Sequence, residues 1–412
     1  MQNLAIDAAR LWDSLMETAR IGGTPRGGIR RLALTDLDRE VRDWFRREVE
    51  ALGCTVTVDE VGNMFARRPG RLDDLDPIAI GSHLDTQPTG GKFDGNLGVL
   101  AGLEVLRTLH DLGYETNAPL MLVNWTNEEG ARFAPAMLGS GVWAGVFDRA
   151  YADSRADRDG VTFGEAIEGI GYRGEAAAGA VRLGAMIELH IEQGPILETE
   201  GATIGVVEGV QAMRWYELAL TGRESHAGST PMRLRQDALV AAARIVTAVD
   251  AIARAHGPAG VGTVGLIEAS PNSRNVIPGA VFMSVDLRHP DDAVLARMEA
   301  DLHAAVAEAG AGGVALALKL TWDSPAVRFD PEVVAAVRAG AARAGFSTRD
   351  MVSGAGHDAA YTARRVPTAM IFVPCAGGLS HNEAEATSRE ECAAGAQVLL
   401  NAVLEVDARF AP

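Results

Sequence analysis

The stretch IAIGSHLDTQPTGGKFDGNLG, residues 78–98, decides how this chain is interpreted. Its apolar beginning and its turn residues predict a buried strand that opens into a glycine-rich loop. His83 and Asp85 are two residues apart, so on an extended backbone their side chains point the same way. Asp94 arrives from a loop that can bend back toward His83. An imidazole and two carboxylates suit a divalent metal site, although a capping histidine with two solvated aspartates would fit the stretch alone.

Length and composition indicate a protein of enzyme size. The 412 residues suggest two domains, on a prior of about 150 residues each. A hydrophobic content of 47% and a charged content of 23% are typical of a soluble globular protein. The formal net charge of −17 argues against a nucleic-acid partner, because phosphate binding needs a basic face. An anionic small substrate stays open, because one local arginine can override a distant field.

The cysteines and the N-terminal residues bear on where in the cell the protein is found. Cys54, Cys375 and Cys392 follow no metal-ligand spacing and leave an odd thiol, which favours a reducing, cytoplasmic setting. The N-terminus has no basic segment followed by an apolar core, so we expect no signal peptide. We expect no membrane span either, because no stretch approaches ~20 apolar residues.

Two further predicted strands end in possible ligands. The run LMLVNW, residues 120–125, is apolar on both faces and is followed by Glu128 and Glu129. These neighbours point in different directions, so one can hold a metal while the other faces bound water. His190 lies toward the end of a strand predicted over residues 185–195. Solvated surface glutamates and a satisfied core histidine are the ordinary alternatives, but positions at the ends of apolar strands favour ligands.

The order of predicted elements indicates an α/β protein with an insertion. Strand, helix and strand alternate after residue 78, which predicts a mixed or parallel sheet covered by helices. From residue 212 to 328 the order becomes strand, helix, strand, strand, helix, strand, as in a small α+β, ferredoxin-like sandwich. The main domain therefore comprises residues 1–211 and 329–412. We expect residues 140–182 to form helices and loops at the surface.

The candidate ligands combine into two metal positions that share one carboxylate. The set comprises His83, Asp94, Glu129, His190 and His381. Nitrogen and oxygen ligands without thiolate suit zinc first, with manganese, cobalt or nickel as alternatives. Two cations about 3.5–4 Å apart would acidify a bridging water and polarise a carbonyl oxygen. Glu128 would then serve as general base, and Asp85 would hold the His83 ring in the ligating tautomer.

With these residues in place, the chain resembles the metal-dependent amidohydrolases that share a fold with zinc aminopeptidases and carboxypeptidases. Within them it is most similar to the branch of N-carbamoyl-L-amino-acid hydrolase, beta-ureidopropionase and allantoate amidohydrolase. The resemblance covers nearly the whole chain. It rests on the ordered segments GSHLDTQPTGGKFDGNLGVL, NEEGARF, HIEQGP, HAGSTPM, NVIPG, DLRHP, GAGHDA and LSHNEAE.

The resemblance implies a role for each matching metal residue. His83 and His190 would hold one ion, Glu129 and His381 the other, and Asp94 would bridge them. Because the main domain would hold both divalent ions, the resemblance implies that it is the catalytic domain. Glu128 is implied as the base.

The resemblance also implies residues that bind the substrate. These are Gln193, His226, Asn275 and Arg288. Arg288 would clamp the substrate carboxylate with its guanidinium fork. His226 and Asn275 would hydrogen-bond the polarised carbonyl or the tetrahedral intermediate, which gives His226 a catalytic role as well. Relatives dimerise through the inserted domain and can share His226, which implies a homodimer with a dimerisation and lid domain.

The substrate implied is a small ureido compound that carries a carboxylate. The leading prediction is hydrolysis of an N-carbamoyl-L-amino acid to the amino acid, carbon dioxide and ammonia; allantoate and N-carbamoyl-beta-alanine are alternatives. Allantoate enzymes of the branch tend to have a second basic residue where Trp215 stands beside Arg214, so the aromatic side chain favours the first. A dipeptidase and a non-catalytic binding protein are further alternatives. For His357, substrate contact and a structural hydrogen bond stay equally open.

Overall fold

The computed structural model describes residues 4–410 and divides the chain into two compact units. The first unit runs up to Gly209 and resumes at Arg328, and the second is Val210–Val327. The strands are β1 (Thr55–Val58), β2 (Met64–Arg68), β3 (Ile78–His83), β4 (Leu120–Trp125), β5 (Ala185–Ile191), β6 (Ile204–Val210), β7 (Ala212–Thr221), β8 (Ser225–His226), β9 (Val261–Thr263), β10 (Ile267–Ser270), β11 (Val276–Ile277), β12 (Ala280–His289), β13 (Ala315–Ser324), β14 (Val327–Arg328), β15 (Thr348–Ser353) and β16 (Thr368–Val373). The α-helices are α1 (Ala8–Thr18), α2 (Asp36–Ala51), α3 (Asn96–Asp111), α4 (Leu138–Trp143), α5 (Arg149–Asp153), α6 (Phe163–Gly169), α7 (Ile196–Glu200), α8 (Ala238–Ala255), α9 (Asp292–Ala309), α10 (Pro331–Ala344), α11 (Asp358–Thr362) and α12 (Arg389–Asp407).

The first unit is built on a mixed sheet. Its strand order is β1-β2-β4-β3-β5-β16-β6-β14, and β15 pairs with β6. The central strands β4, β3, β5 and β16 are parallel neighbours, whereas β2 joins β4 antiparallel. These four strands are buried along their whole length, as their continuous apolar runs predict. The α/β fold class is confirmed.

Helices cover this sheet, and two of them begin at residues that cap helix N-termini well. Helix α3 packs on β3 and β5, and α12 packs on β16 and α10. Thr35 caps α2 by accepting the backbone N–H of Asp38. Ser388 and Glu391 form a capping box at the start of α12.

The surface assignment of residues 140–182 is wrong at its beginning. Helix α4 is buried throughout, and Trp143 is 1% exposed. Its ring lies 5.5 Å from that of Trp125 on β4, in a cluster that includes Phe65 and Met186. Because glycine and serine dilute the apolar residues of α4, its sequence does not show the stripe that marks a packed helix.

The second unit is an α+β sandwich. Its sheet order is β10-β12-β7-β13, β9 also pairs with β12, and every pairing is antiparallel. Helices α8 and α9 pack on this sheet and share its core, which includes Leu218, Ile245 and Met298. Strands β8 and β11 form a separate two-stranded ladder. Among residues 4–410, no helix combines the length and the apolar character needed to cross a bilayer.

Candidate metal centre

The candidate ligands of the first unit meet at one edge of the sheet, because the parallel strands all end there. His83 is the last residue of β3, and β5 ends one residue after His190. Glu128 and Glu129 follow the end of β4. Asp94 comes from the loop before α3, and His381 from the segment between β16 and α12.

Asp94 belongs to two groups of ligand atoms. Its Oδ1 lies 3.1 Å from His190 Nε2 and 3.7 Å from His83 Nε2. Its Oδ2 lies 3.5 Å from His381 Nε2, which is itself 3.4 Å from Glu129 Oε2. In each group the ligand atoms all lie within 4.8 Å of one another. The structure therefore brings the five sequence-predicted ligands together, with one oxygen of Asp94 facing each group.

Backbone carbonyls set the tautomers of two histidines. His83 Nδ1 is 2.9 Å from the Asp85 carbonyl oxygen, and His190 Nδ1 is 2.9 Å from the Ile191 carbonyl oxygen. Because a carbonyl oxygen only accepts, each Nδ1 carries a proton, and in the neutral ring each Nε2 keeps its lone pair. His83 Nε2 is buried without a hydrogen-bond partner, and a cation would satisfy it. The donor set thus fits divalent metal ions.

Asp85 holds the His83 ring through its backbone carbonyl and not, as the side-chain alternation suggested, through its carboxylate. The Asp85 Oδ1 atom is 3.9 Å from His83 Nδ1, against 2.9 Å for the carbonyl oxygen. Strand β3 ends at His83, so the alternation of side chains does not extend to Asp85. The Asp85 carboxylate accepts the backbone N–H groups of Glu128 and Glu129, each at 3.2 Å. Asp85 therefore anchors the segment that carries the proposed base.

Backbone conformation at this edge is unusual. Gly95 has φ of +65°, and a Cβ there would lie 2.3 Å from the His83 ring, so only glycine fits. Gln193 and His381 have φ of 58° and 54°, a left-handed conformation that costs a non-glycine residue about 1 kcal/mol or more. Such strain persists where side-chain chemistry demands the position.

The crowded carboxylates perturb one another. Burial, then the charges of Asp358 and Glu129, raise the pKa of Glu128 well above its usual range. Burial, then Asp94, raise the pKa of Glu129 in the same way. Burial lowers the pKa of His83 to about 4 and so favours its neutral, ligating form. Cations bound among these groups would offset the repulsion between the acids.

Several contacts at the centre were not anticipated from the sequence. Gln87 donates its backbone N–H and its amide to the Glu129 carboxylate, at 3.0 and 2.7 Å. The Gln193 amide donates to Asp94 Oδ2 at 3.0 Å. The contacts of Gln87 cross 42 residues, and no local pattern marks such pairs.

His357 is buried, and its Nε2 lies 3.0 Å from Ser353 Oγ. Its ring centroid is 4.5 Å from that of His190, and Glu188 completes a third group of possible ligand atoms. His357 therefore makes a structural hydrogen bond with Ser353, which was one of the two roles left open for it.

The second unit holds the remaining candidates. His226 Nδ1 accepts the backbone N–H groups of Gly228 and Ser229, at 3.1 and 3.2 Å. The proton of the neutral ring is therefore on Nε2, which can donate. The β8–β11 ladder sets His226 opposite Val276, and the neighbouring carbonyl of Asn275 accepts the N–H of Ala227 at 2.9 Å. The ladder thus brings His226 and Asn275 close together.

Arg288 lies on β12 and is already engaged. Its Nε and Nη2 donate to the Asp286 carboxylate at distances from 2.7 to 3.1 Å. Trp215 on β7 is the register partner of Asp286 and lies on the same face of the sheet. A substrate carboxylate would therefore share this guanidinium with Asp286 or compete with Asp286 for it.

Comparisons with known proteins agree with this geometry. Residues 79–405 match Peptidase family M20/M25/M40. The chain is 52% identical to the N-carbamoyl-L-amino-acid amidohydrolase of Rhizobium meliloti, over 98% of this chain and 97% of the relative. It is 36% identical to the allantoate amidohydrolase of Bacillus subtilis (strain 168), over 92% and 93% of the two chains. A crystal structure of an amidase of the hydantoinase/carbamoylase family from Burkholderia multivorans shares 56% identity and superposes with a TM-score of 0.95, covering 98% of both chains. The resemblance seen in the sequence segments is confirmed, and this chain belongs to Peptidase family M20/M25/M40.

Proposed function

We propose that this protein is a di-metal amidohydrolase that cleaves the carbamoyl C–N bond of N-carbamoyl-L-amino acids. The products would be the amino acid, carbon dioxide and ammonia. The observation that carries the proposal is that Asp94 faces two ligand groups at once, with Glu128 beside them. The relative from Rhizobium meliloti, which is named for this reaction, supports the choice of substrate.

The metal ions would be zinc, with manganese, cobalt or nickel as alternatives that the same donors accept. His83 and His190 would hold one ion, Glu129 and His381 the other, and Asp94 both. Bound there, the ions would supply Lewis acidity toward the carbonyl oxygen and an acidified water.

Glu128 would move the proton. Its Oε2 lies 3.3 Å from His83 Nε2, and the residue is 7% exposed. Burial raises its pKa, which lets the carboxyl hold a proton, and nearby cations would lower that pKa again, so that the carboxyl can both take and return one. Glu128 would accept the proton of the attacking water and deliver it to the leaving nitrogen, while Asp85 keeps its backbone in place.

Residues of the second unit would bind the substrate. His226 Nε2–H and the Asn275 amide would donate to the oxygen that becomes negative in the transition state. Arg288, held by Asp286, would bind the substrate carboxylate, and Gln193 would complete the substrate contacts from the first unit.

Allantoate hydrolysis is the second candidate. The relative from Bacillus subtilis named for that reaction supports it. Trp215, which is 43% exposed, favours the first candidate, because it offers an apolar surface and no second cation beside Arg214. N-carbamoyl-beta-alanine would also satisfy Arg288.

We further propose a cytoplasmic homodimer in which the second unit serves as dimerisation and lid domain. Exposed apolar side chains on this unit support an interface, among them Met232, Leu234, Leu239 and Val240. The three cysteines are free and buried, which agrees with a reducing compartment.

Ammonia release by the zinc- or manganese-loaded protein tests the proposal. The panel comprises N-carbamoyl-L-methionine, N-carbamoyl-beta-alanine, allantoate and a dipeptide. We expect the highest kcat/KM on N-carbamoyl-L-methionine. A preference for allantoate would replace the first candidate by the second, and cleavage of the dipeptide alone would contradict both.

A further inference from the structure

Glu385 is a buried carboxylate whose contacts converge on Asp94. It lies four residues after His381 and is 5% exposed. Its Oε1 accepts the backbone N–H groups of Phe93 at 3.1 Å and Asp94 at 3.0 Å. Its Oε2 accepts the hydroxyl of Ser380 at 2.9 Å. One side chain thus holds the backbone of the Asp94 loop and the residue next to His381.

Ser380 connects Glu385 to the Asp94 carboxylate itself. Its Oγ is 3.2 Å from Asp94 Oδ2, and it accepts the Gln193 amide at 3.1 Å. A hydroxyl has one hydrogen, so Ser380 donates to Glu385 or to Asp94 but not to both. The shorter contact is with Glu385. Glu385 therefore takes the Ser380 hydrogen and orients the hydroxyl that lies beside Oδ2.

The loop is also packed directly against Glu385. A Cβ on Gly91 would lie 2.1 Å from Glu385 Oε1, so the backbone comes as close to the carboxylate as glycine allows. This close approach and the two N–H bonds fix the path of the chain just before Asp94.

We propose that Glu385 is a positioning residue for the bridging carboxylate. Through the backbone of Phe93 and Asp94 it sets where Asp94 stands between the two ligand groups. Through Ser380 it also holds the hydroxyl that lies 3.2 Å from Oδ2, the oxygen on the His381 side. The inference rests on the proposed function in one respect, namely that cations bind at Asp94.

Two substitutions at Glu385 separate these effects. Glu385→Ala removes both, so we expect zinc affinity to fall about 10- to 100-fold at both groups, the usual effect of losing a residue that orients a ligand. Glu385→Gln keeps an oxygen for the two N–H groups but turns an N–H toward Ser380, so it breaks only the contact with Ser380. We therefore expect it to lower zinc affinity less than Glu385→Ala does.

The measurement is zinc bound per chain at a buffered free-zinc concentration, together with the absorption spectrum of the cobalt-loaded protein. We expect two ions in the wild type, a large loss of bound zinc in Glu385→Ala and a smaller loss in Glu385→Gln.

Asp407 provides a matched control. This carboxylate is 2% exposed and accepts the consecutive backbone N–H groups of Asn117 at 3.0 Å and Ala118 at 2.8 Å. These residues precede β4, at the opposite end of that strand from Glu128. We expect Asp407→Ala and Asp407→Asn to lower the melting temperature and to leave the zinc content unchanged.

The outcomes distinguish the inference from the proposed function. Unchanged zinc content in both Glu385 variants, beside a wild type with two ions, would overturn the positioning role alone. Equal zinc loss in the Glu385 and Asp407 variants would also overturn it, since any buried carboxylate would then suffice. A wild type that binds no zinc, manganese, cobalt or nickel would overturn the proposed function and the inference together.

Discussion

At the scale of single residues, the central feature is the difference between the proposed roles of Glu128 and Glu129. Glu129 faces His381 at 3.4 Å and is held by Gln87. Glu128 lies against His83 at 3.3 Å and has no place in either group that contains Asp94. Adjacent residues beyond a strand end can therefore act separately, one as ligand and one as base.

The substitution Glu128→Gln tests that separation. The amide keeps the shape of the side chain but cannot take a proton, so we expect kcat to fall by about 10²-fold or more. Zinc content, measured in the same preparation, should stay that of the wild type. Wild-type turnover in the variant would remove Glu128 from the proton transfer.

Arg288→Ala tests the proposed carboxylate clamp. Loss of charge-assisted hydrogen bonds costs about 1.5–3 kcal/mol, so we expect KM to rise about 10- to 100-fold for carboxylate substrates. Steady-state kinetics on an N-carbamoyl-L-amino acid measures it.

Arg214→Ala is the control for that variant. Arg214 lies in the same sheet and pairs with Glu299 and Asp323. Its removal should change KM by less than about 3-fold relative to the wild type, because ion pairs near the surface contribute little free energy. An unchanged KM in Arg288→Ala would refute the clamp.

At the scale of elements, the ends of β3, β4 and β5 explain what the sequence could predict. Continuous apolar runs identify parallel strands, and the polar residues after each run must meet at one edge. This reasoning predicted that His83, Glu129 and His190 lie close together. It failed for the Asp85 carboxylate, because β3 stops at His83 and the two-residue alternation stops with it.

Other features had no local signal. Glu385 reaches Asp94 across 291 residues, so only the folded chain reveals the contact. Helix α4 is buried by its neighbours, although its own sequence shows no apolar stripe. The tautomers of His83 and His190 depend on backbone carbonyls, which no side-chain pattern encodes.

Gly95→Ala tests the turn between the Asp94 loop and α3. The added methyl would overlap the His83 ring, so we expect a loss of stability of about 1–3 kcal/mol beyond the strain of the positive φ. Displacement of His83 should also lower the zinc content.

Gly201→Ala is the matched control, because Gly201 has φ of +66° and nothing within 4 Å of its Cβ position. It should cost only the backbone strain, about 1–2 kcal/mol. Thermal denaturation and zinc analysis of both variants make the comparison. Equal effects would mean that the close approach to His83 has no consequence.

At the scale of the whole molecule, metal ions should contribute to stability. The first unit gathers several buried carboxylates at one edge, and the pKa values of Glu128 and Glu129 are raised by burial and by neighbouring acids. Ligands that bind only the folded state stabilise it by about 2.7 kcal/mol at 100 times their Kd. We expect a chelator to lower the melting temperature and zinc to restore it. No change on chelation would show that the acid cluster needs no cation.

Asp94 would bridge two metal ions, and anomalous diffraction from a zinc-loaded crystal tests this bridging role most directly. We expect two anomalous peaks about 3.5–4 Å apart, one on each side of Asp94, the first near His83 and His190 and the second near Glu129 and His381. A single peak, or peaks that do not contact Asp94, would contradict the account.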